Sequence, residues 1–354
     1  MVTYPRYKVA AAHVSPIFLQ VDATVDKASS IIREAARNGA ELVVFPEAYI
    51  PAFPIWCALQ APIHNHDLFS QLAASAIQIP GPELAKVSET ARELGVFVSM
   101  GINEGTPNST GCIWNSNVLI GDDGGILCHH RKIVPTFYEK LVWAAGDGAG
   151  LQVSETRLGK LGALICGENT NPLARYTLMA QGEQVHMSTY PPIWPTHDPV
   201  TGGNYDLARA IEIRAGAHSF EAKAFNIVAS GFMDKATRDL LAERDPDAGR
   251  ILDEGPRGVS MITGPDGVPL GEPMQDSEGI LYTELDLSKS VVPKQYHDVV
   301  GGYNRFDIFK LTVDRSAHRP ITFEPDSEAW SRSSANGVHG APADGAVQQE
   351  QILG

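Results

Sequence analysis

The chain has few cysteines: Cys57, Cys112, Cys128 and Cys166 are the four among 354 residues, and they lie far apart. There is no Cys-x-x-Cys pair and no Cys/His cluster at zinc-ligand spacing, so they read as reduced thiols of a cytoplasmic protein rather than as a metal site. The chain also lacks a Lys/Arg block: 28 basic residues against 42 acidic ones leave a net charge of -14, spread along the sequence. Nucleic acid is thereby excluded as an expected partner, and the charge serves solubility. No stretch approaches the roughly 20 apolar residues that cross a bilayer, so no membrane partner is expected. The segment Met1 to Lys8 leads into a strand-like run instead of a secretory apolar core, which does not indicate secretion.

What the sequence does have is alternation of strand-like and helix-like segments, the pattern of a layered α/β fold. Lys8 to Val14 reads as a strand, and Thr24 to Asn38 places Val25, Ala28, Ile32 and Ala35 at helical spacing before Gly39. Glu41 to Phe45 is a short buried strand, Gly81-Pro82 opens a helix to about Leu94, and Val96 to Ile102 is again a strand. Asn115 to Ile120 and Ile126 to His130 form a hairpin across a Gly/Asp turn, and Val259 to Leu270 repeats that chemistry, so the two halves read as related layers of one domain. Between them lie a helix to about Gln181, a strand Gln184 to Met187, a Pro/aromatic loop Tyr190 to Pro199, a helix Tyr205 to Ala224 and a strand Phe225 to Ser230. Residues 1–322 are expected to form the domain and residues 323–354, rich in Ser, Ala, Gly and Gln, a mobile or assembly-ordered tail.

Cys166 ends the apolar run Leu161 to Ile165 and is followed by Gly167-Glu168-Asn169-Thr170-Asn171-Pro172, a strand that stops at a thiol and turns into a helix start. Backbone N–H groups at such a turn face the side chain, and the expectation is a lowered thiol pKa and a nucleophile. Taken alone, most such cysteines are small core hydrophobes. Glu47 follows the strand Leu42 to Phe45 through a proline, and apolar walls raise a carboxyl towards the range of a general base. Lys132, closing His129-His130-Arg131-Lys132, can hold charge beside a thiol. His129 and His130 point to opposite strand faces, so at most one could approach Cys166, and both read as packing or hydrogen-bonding residues.

Phe45-Pro46-Glu47-Ala48, His130-Arg131-Lys132 and Cys166-Gly167-Glu168-Asn169, in that order and spacing, resemble the nitrilase superfamily of carbon–nitrogen hydrolases, from the first strand to about Phe309. The run Glu47 to Trp56, Arg131 to Thr136, Glu139 to Trp143, Asn171 to Arg175 and Asp298 to Asp307 resemble its nitrilase branch. The resemblance implies a four-layer α-β-β-α sandwich with no metal and no organic cofactor. It also implies a triad of Glu47 as base, Lys132 as cation and Cys166 as nucleophile, with Glu139 placing the substrate and the lysine. Implied in turn are hydrolysis of a small-molecule nitrile through a thioimidate and thioester, and a homodimer or higher homo-oligomer, with a spiral as the extended form. Gly167 stands where Trp is frequent, Ala144 and Ala145 where Gly is, and Gly302 where His is; Gly167 is expected to leave room near the thiol. Tyr49, Phe53, Trp56, Tyr190 and Trp194, with Gly167, are the candidate substrate wall, against a reading as ordinary core. An amidase or carbamoylase, a cyanide dihydratase, and an inactive filament-forming scaffold are the competing functions.

Overall fold

The computed structural model describes residues 4–321; the expected tail, 323–354, lies outside the described residues. Alternating side chains decide the layering. In β1 (Arg6–His13), Val9 and Ala11 face one way into a core shared with a second sheet, and Ala10 and Ala12 face the other way, onto helices. Strands buried on both faces read as continuous apolar runs, as these do. The first sheet is completed by β2 (Ala40–Val44), β3 (Phe97–Thr106), β4 (Ser109–Ile120), β5 (Ile126–Arg131) and, from the far end of the chain, β11 (Gly279–Asp286). The second holds β6 (Ser154–Thr156), β7 (Gly159–Ile165), β8 (Val185–Tyr190), β9 (Phe225–Ser230) and β10 (Met261–Thr263).

The sheet orders are β11-β1-β2-β3-β4-β5 and β10-β9-β8-β7-β6, with parallel centres and antiparallel edges. Val9, Val44 and Phe97 of the first sheet pack with Leu161, Met187 and Ile227 of the second. On the outer face of the first sheet lie α1 (Val21–Arg37) and α4 (Pro82–Leu94), through Val25, Ala28, Ile32, Leu84, Val87 and Ala91. On the outer face of the second lie α5 (Pro172–Ala180) and α6 (Leu207–Ala222), through Leu178, Leu207, Ile211 and Ala215. This is the four-layer α-β-β-α arrangement.

The two halves of the sequence do supply one sheet each, but β11 returns to pair with β1 and fastens the second half onto the first. The second expected hairpin is short: Gly264 and Leu270 N–H groups bond Val268 and Ile262 carbonyls, while the returning arm adds only a bridge at Pro269. Elements absent from the sequence reading are α2 (Trp56–Leu59), α3 (His66–Ala74), α7 (Lys235–Arg244), α8 (Pro246–Glu254), α9 (Val291–Tyr296), β6 and β11. Their apolar residues are too few or too irregularly spaced to mark a period.

β2, β3 and β5 point the same way, since β2 and β3 are parallel and two antiparallel steps separate β3 from β5. Glu47 and Lys132, which follow β2 and β5, therefore leave the same edge of the first sheet. The Glu47 loop is held there by a close approach to Gly101 on β3: a Cβ at that position would sit 2.1 Å from the Pro46 carbonyl oxygen and 2.7 Å from the Ala48 nitrogen. Gly101→Ala should therefore displace the loop, lowering stability by about 1–3 kcal/mol as an overpacked site does and reducing activity. Urea unfolding read alongside turnover checks this; an alanine variant as stable and active as the parent would show the loop to be unconstrained there.

Candidate active site

Lys132 continues β5 by one residue, its N–H bonding the Asn115 carbonyl at 2.8 Å, and its side chain runs into the protein with no exposure. Its ammonium donates to Glu47 Oε1 at 2.7 Å and to Glu139 Oε2 at 2.6 Å, and all three side chains are shut off from solvent. Glu139 is placed by a capping box, in which the Thr136 hydroxyl receives the Glu139 N–H and the Glu139 carboxylate receives the Thr136 N–H at 2.7 Å. Asn115 on β4 donates to the same Glu47 oxygen at 2.7 Å. Asn115 was missed in the sequence, where a strand asparagine carries no distinguishing signal.

Cys166 follows β7 at the facing edge of the second sheet. Its Sγ and carboxylate oxygens of Glu47 and Glu139 all lie within 4.8 Å of one another. The four side chains singled out in the sequence as a reacting group thus converge. The Lys132 ammonium occupies the space between the two carboxylates, so the positive charge of this donor set is already supplied by the chain.

The nucleophile candidate stands on a strained backbone, φ +50°. A non-glycine residue held in the left-handed region costs of order 1–3 kcal/mol and persists only where its surroundings over-determine it. Here they do. Asn169 Nδ2 donates to the Leu164 and Cys166 carbonyls at 3.2 and 3.1 Å, and Glu168 Oε2 receives the Ile165 N–H at 2.8 Å. Glu168 also bonds His130 Nε2 at 2.9 Å and the Ile133 N–H, tying the Lys132 segment to the Cys166 turn. Behind Asn169, His186 bonds its Oδ1 at 2.8 Å, and Glu183 takes one oxygen to His186 and the other to His218, both at 2.7 Å. With each Glu183 oxygen already engaged by its own imidazole, this buried cluster reads as a hydrogen-bonded support.

Electrostatics correct one expectation. Burial, followed by Glu47, pushes the Cys166 thiol well above its ordinary pKa, and the opposing pull of Lys132 does not offset it. Desolvation thus favours the protonated thiol over a preformed thiolate and outweighs the helix-start N–H groups. Burial also raises Glu47, against Lys132 and with Glu139, to about 7. Burial works against a charged Lys132, yet Glu139 and Glu47 override it and hold the ammonium well above its usual range. The site therefore carries a fixed cation, a protonated thiol, and a carboxyl poised near neutrality whose Oε2 has no hydrogen-bond partner and is free to take a proton.

The six candidate wall residues separate. Tyr49 and Phe53 line a narrow pocket with Glu47, although Tyr49 also packs on Phe45 and Phe53 on Trp143. Trp56 instead packs edge-on against Phe18 at 5.9 Å, in an apolar cluster with Leu68 and Leu72. Tyr190 and Trp194 pack in the cluster that contains Cys166. Gly167 does not open space as expected: a Cβ there would lie 2.8 Å from the Thr136 hydroxyl, so the capping threonine fills that position. His129 and His130 diverge, to Glu104 and Glu168, and form no dyad with Cys166.

The carbon-nitrogen hydrolase profile matches residues 8–291. The chain belongs to that family. A nitrilase of Paraburkholderia phymatum is 32% identical over 93% of this chain and 92% of its own, and an arylacetonitrilase of Aspergillus kawachii 33% over 89% and 94%. Among solved structures, a carbon-nitrogen hydrolase from Helicobacter pylori superposes with a TM-score of 0.67 at 20% identity, covering 86% of this chain and 97% of that one, which shows the shared fold.

If Glu47 is the group that must lose its proton, kcat/KM should rise with pH through about 7. The Asn115 hydrogen bond favours the ionised carboxylate, so Asn115→Ala should move that limb to higher pH. A pH–rate profile of the two proteins decides it, and an unmoved limb would assign the titration elsewhere.

Proposed function

We infer that this protein is a nitrilase, converting an organic nitrile and two waters to the carboxylic acid and ammonia, with Cys166, Glu47, Lys132 and Glu139 as the reacting group. The observation that carries the reading is the convergence of the thiol with two carboxylates around a buried ammonium. Relatives named as nitrilases over about nine-tenths of the chain support it. No helix among the described residues is long and apolar enough to cross a membrane.

Because the sulfur rests protonated, bond formation and proton transfer must be coupled. Glu47 takes the thiol proton as Sγ attacks the nitrile carbon, and the nitrogen gains that proton equivalent as the thioimidate forms. Lys132, with the Gly167 N–H, stabilises negative charge developing on that nitrogen. Glu47 then activates water, the tetrahedral carbon expels ammonia to leave a thioester, and a second water releases the acid and restores the thiol. Glu139 keeps the ammonium in place and shares its charge. The protein acts in a homo-oligomer: α5, α6 and the segment to Leu311 present Leu173, Ile213, Phe220, Tyr303, Phe306 and Phe309 as exposed apolar side chains, a surface suited to a second copy.

An amidase would use the same groups on a carbonyl, so the assay must separate the two. Ammonia release from a nitrile should exceed release from its matching amide, and Cys166→Ala should lose at least about 10⁴-fold in rate while keeping the circular-dichroism spectrum and melting temperature of the parent. Faster release from the amide, or turnover by Cys166→Ala, would overturn the reading.

A further inference from the structure

Two features beside Cys166 are unused by that chemistry. Arg214 on α6 bears a guanidinium whose Nε donates to Thr170 Oγ1 at 2.6 Å and whose Nη2 donates to the Tyr205 hydroxyl at 2.7 Å. Among the described residues no carboxylate pairs with it, whereas Arg175, Arg209, Arg238 and Arg250 all have one. Arginine is always charged and offers a planar fork of donors matched to a carboxylate, so a half-buried one whose Nη1 has no hydrogen-bond partner among the described residues is suited to recognising an anion.

The second feature is Tyr190, at the end of β8. It has no solvent exposure and packs in one cluster with Cys166 and Tyr205, yet among the described residues its hydroxyl has no hydrogen-bond partner. A buried hydroxyl left unmade costs about 1–3 kcal/mol, so such a group ordinarily has a partner or awaits one. The two features are linked through Tyr205, which accepts the Arg214 hydrogen bond and packs in the cluster of Tyr190 and Cys166, and the guanidinium charge is felt at both of those groups. Besides burial, the groups that act most strongly on Arg214 are Tyr190, Cys166 and Tyr205.

The spacing bounds the ligand. Thr170, which anchors Arg214, ends the 3₁₀ turn that Cys166 begins. The Arg214 hydrogen bond to Thr170 tethers the guanidinium to the far end of the nucleophile's own turn, which suits a short substrate whose far end is anionic.

Resting on the nitrilase reading, we propose that Arg214 and Tyr190 form the specificity site for a carboxylate at the distal end of the substrate, making the preferred substrates short aliphatic nitriles that carry a carboxylate. Arg214 holds the carboxylate through its free N–H groups, Tyr190 donates its unpartnered hydroxyl, and Tyr205, beneath the guanidinium, keeps the fork in place. Trp194, edge-on to Tyr205 at 5.6 Å, closes the apolar side along the methylene chain.

The test compares 4-cyanobutanoate with 5-methylhexanenitrile, which has nearly the same shape without the charge. The parent should favour the cyano acid in kcat/KM by at least about tenfold. Arg214→Met should cut that preference by about 30-fold or more, the loss expected when a desolvated charge loses its partner, with the change falling mainly on KM, and Arg214→Lys should restore part of it. Absence of the preference in the parent, or its survival in Arg214→Met, would overturn the proposal. Should the parent hydrolyse neither compound, calorimetry of 4-cyanobutanoate with Cys166→Ala decides the site separately from the nitrilase reading. Binding that Arg214→Met abolishes upholds it, and binding that is absent or indifferent to that substitution overturns it.

Discussion

A solvent-free ammonium between two carboxylates is the constraint around which the rest of this structure is arranged. Lys132 could not be buried alone, because an isolated charge in a low-dielectric interior would shed its proton or unfold its surroundings. Glu139 and Glu47 keep it charged, and in doing so two negative groups share one positive partner. Among the described residues each carboxylate keeps one oxygen without a hydrogen bond, and at Glu47 burial, with the neighbouring Glu139 charge, raises the proton affinity against the pull of Lys132. The base is therefore produced by the same arrangement that secures the cation, and neither exists without the other.

That arrangement also settles how the thiol is used. A preformed thiolate would add negative charge to a site that already holds two carboxyl groups, and burial disfavours it. Deprotonation must wait for the electrophile, which disperses the charge onto nitrogen next to Lys132. Such coupling needs the donor, the acceptor and the sulfur held to a few tenths of an ångström, and the backbone strain at Cys166 is the visible consequence. The run from His218 through Glu183 and His186 to Asn169 supports that strain with buried hydrogen bonds of 2.7–2.8 Å. Burial and the neighbouring imidazole lower His218 to about 4, so it stays neutral near neutrality, while Glu183, despite burial, is held down to about 2 by the two histidines.

Much of this was legible in the amino-acid order, for identifiable reasons. Pro82 and Gly95 mark the ends of α4 because one fixes the entry φ and the other adopts the left-handed exit, φ +63°. The strand ahead of Cys166 and the strand ahead of Glu47 declare themselves as apolar runs cut off by a turn. What stayed hidden is long-range and polar: Asn115 against Glu47, separated by 68 positions, Glu168 against His130, separated by 38, and His218 against Glu183, separated by 35. No local period encodes such pairs. The thiol was misjudged for a related reason, since helix-start N–H groups can be read from a turn sequence, whereas complete desolvation depends on what the other sheet brings over it.

Because Glu47 and Lys132 leave the first sheet and Cys166 the second, the reacting group exists only while the two sheets keep their relative placement. The shared core of Val9, Val44, Phe97, Leu161, Met187 and Ile227 supplies adhesion between them, but apolar contacts are non-directional and tolerate small slides. Directional bonds must fix the offset, and Glu168 is placed to do so: one carboxylate joins the end of β7, through the Ile165 N–H, to the end of β5, through His130 and the Ile133 N–H. A short contact of this kind at the reacting edge controls the Lys132-to-Cys166 geometry more directly than any amount of apolar area farther down the sheets. Glu168, inside the turn that the nucleophile begins, is thus a positioning residue, and His130, two residues before the lysine, acts through the bond it makes to Glu168 and not through proton transfer.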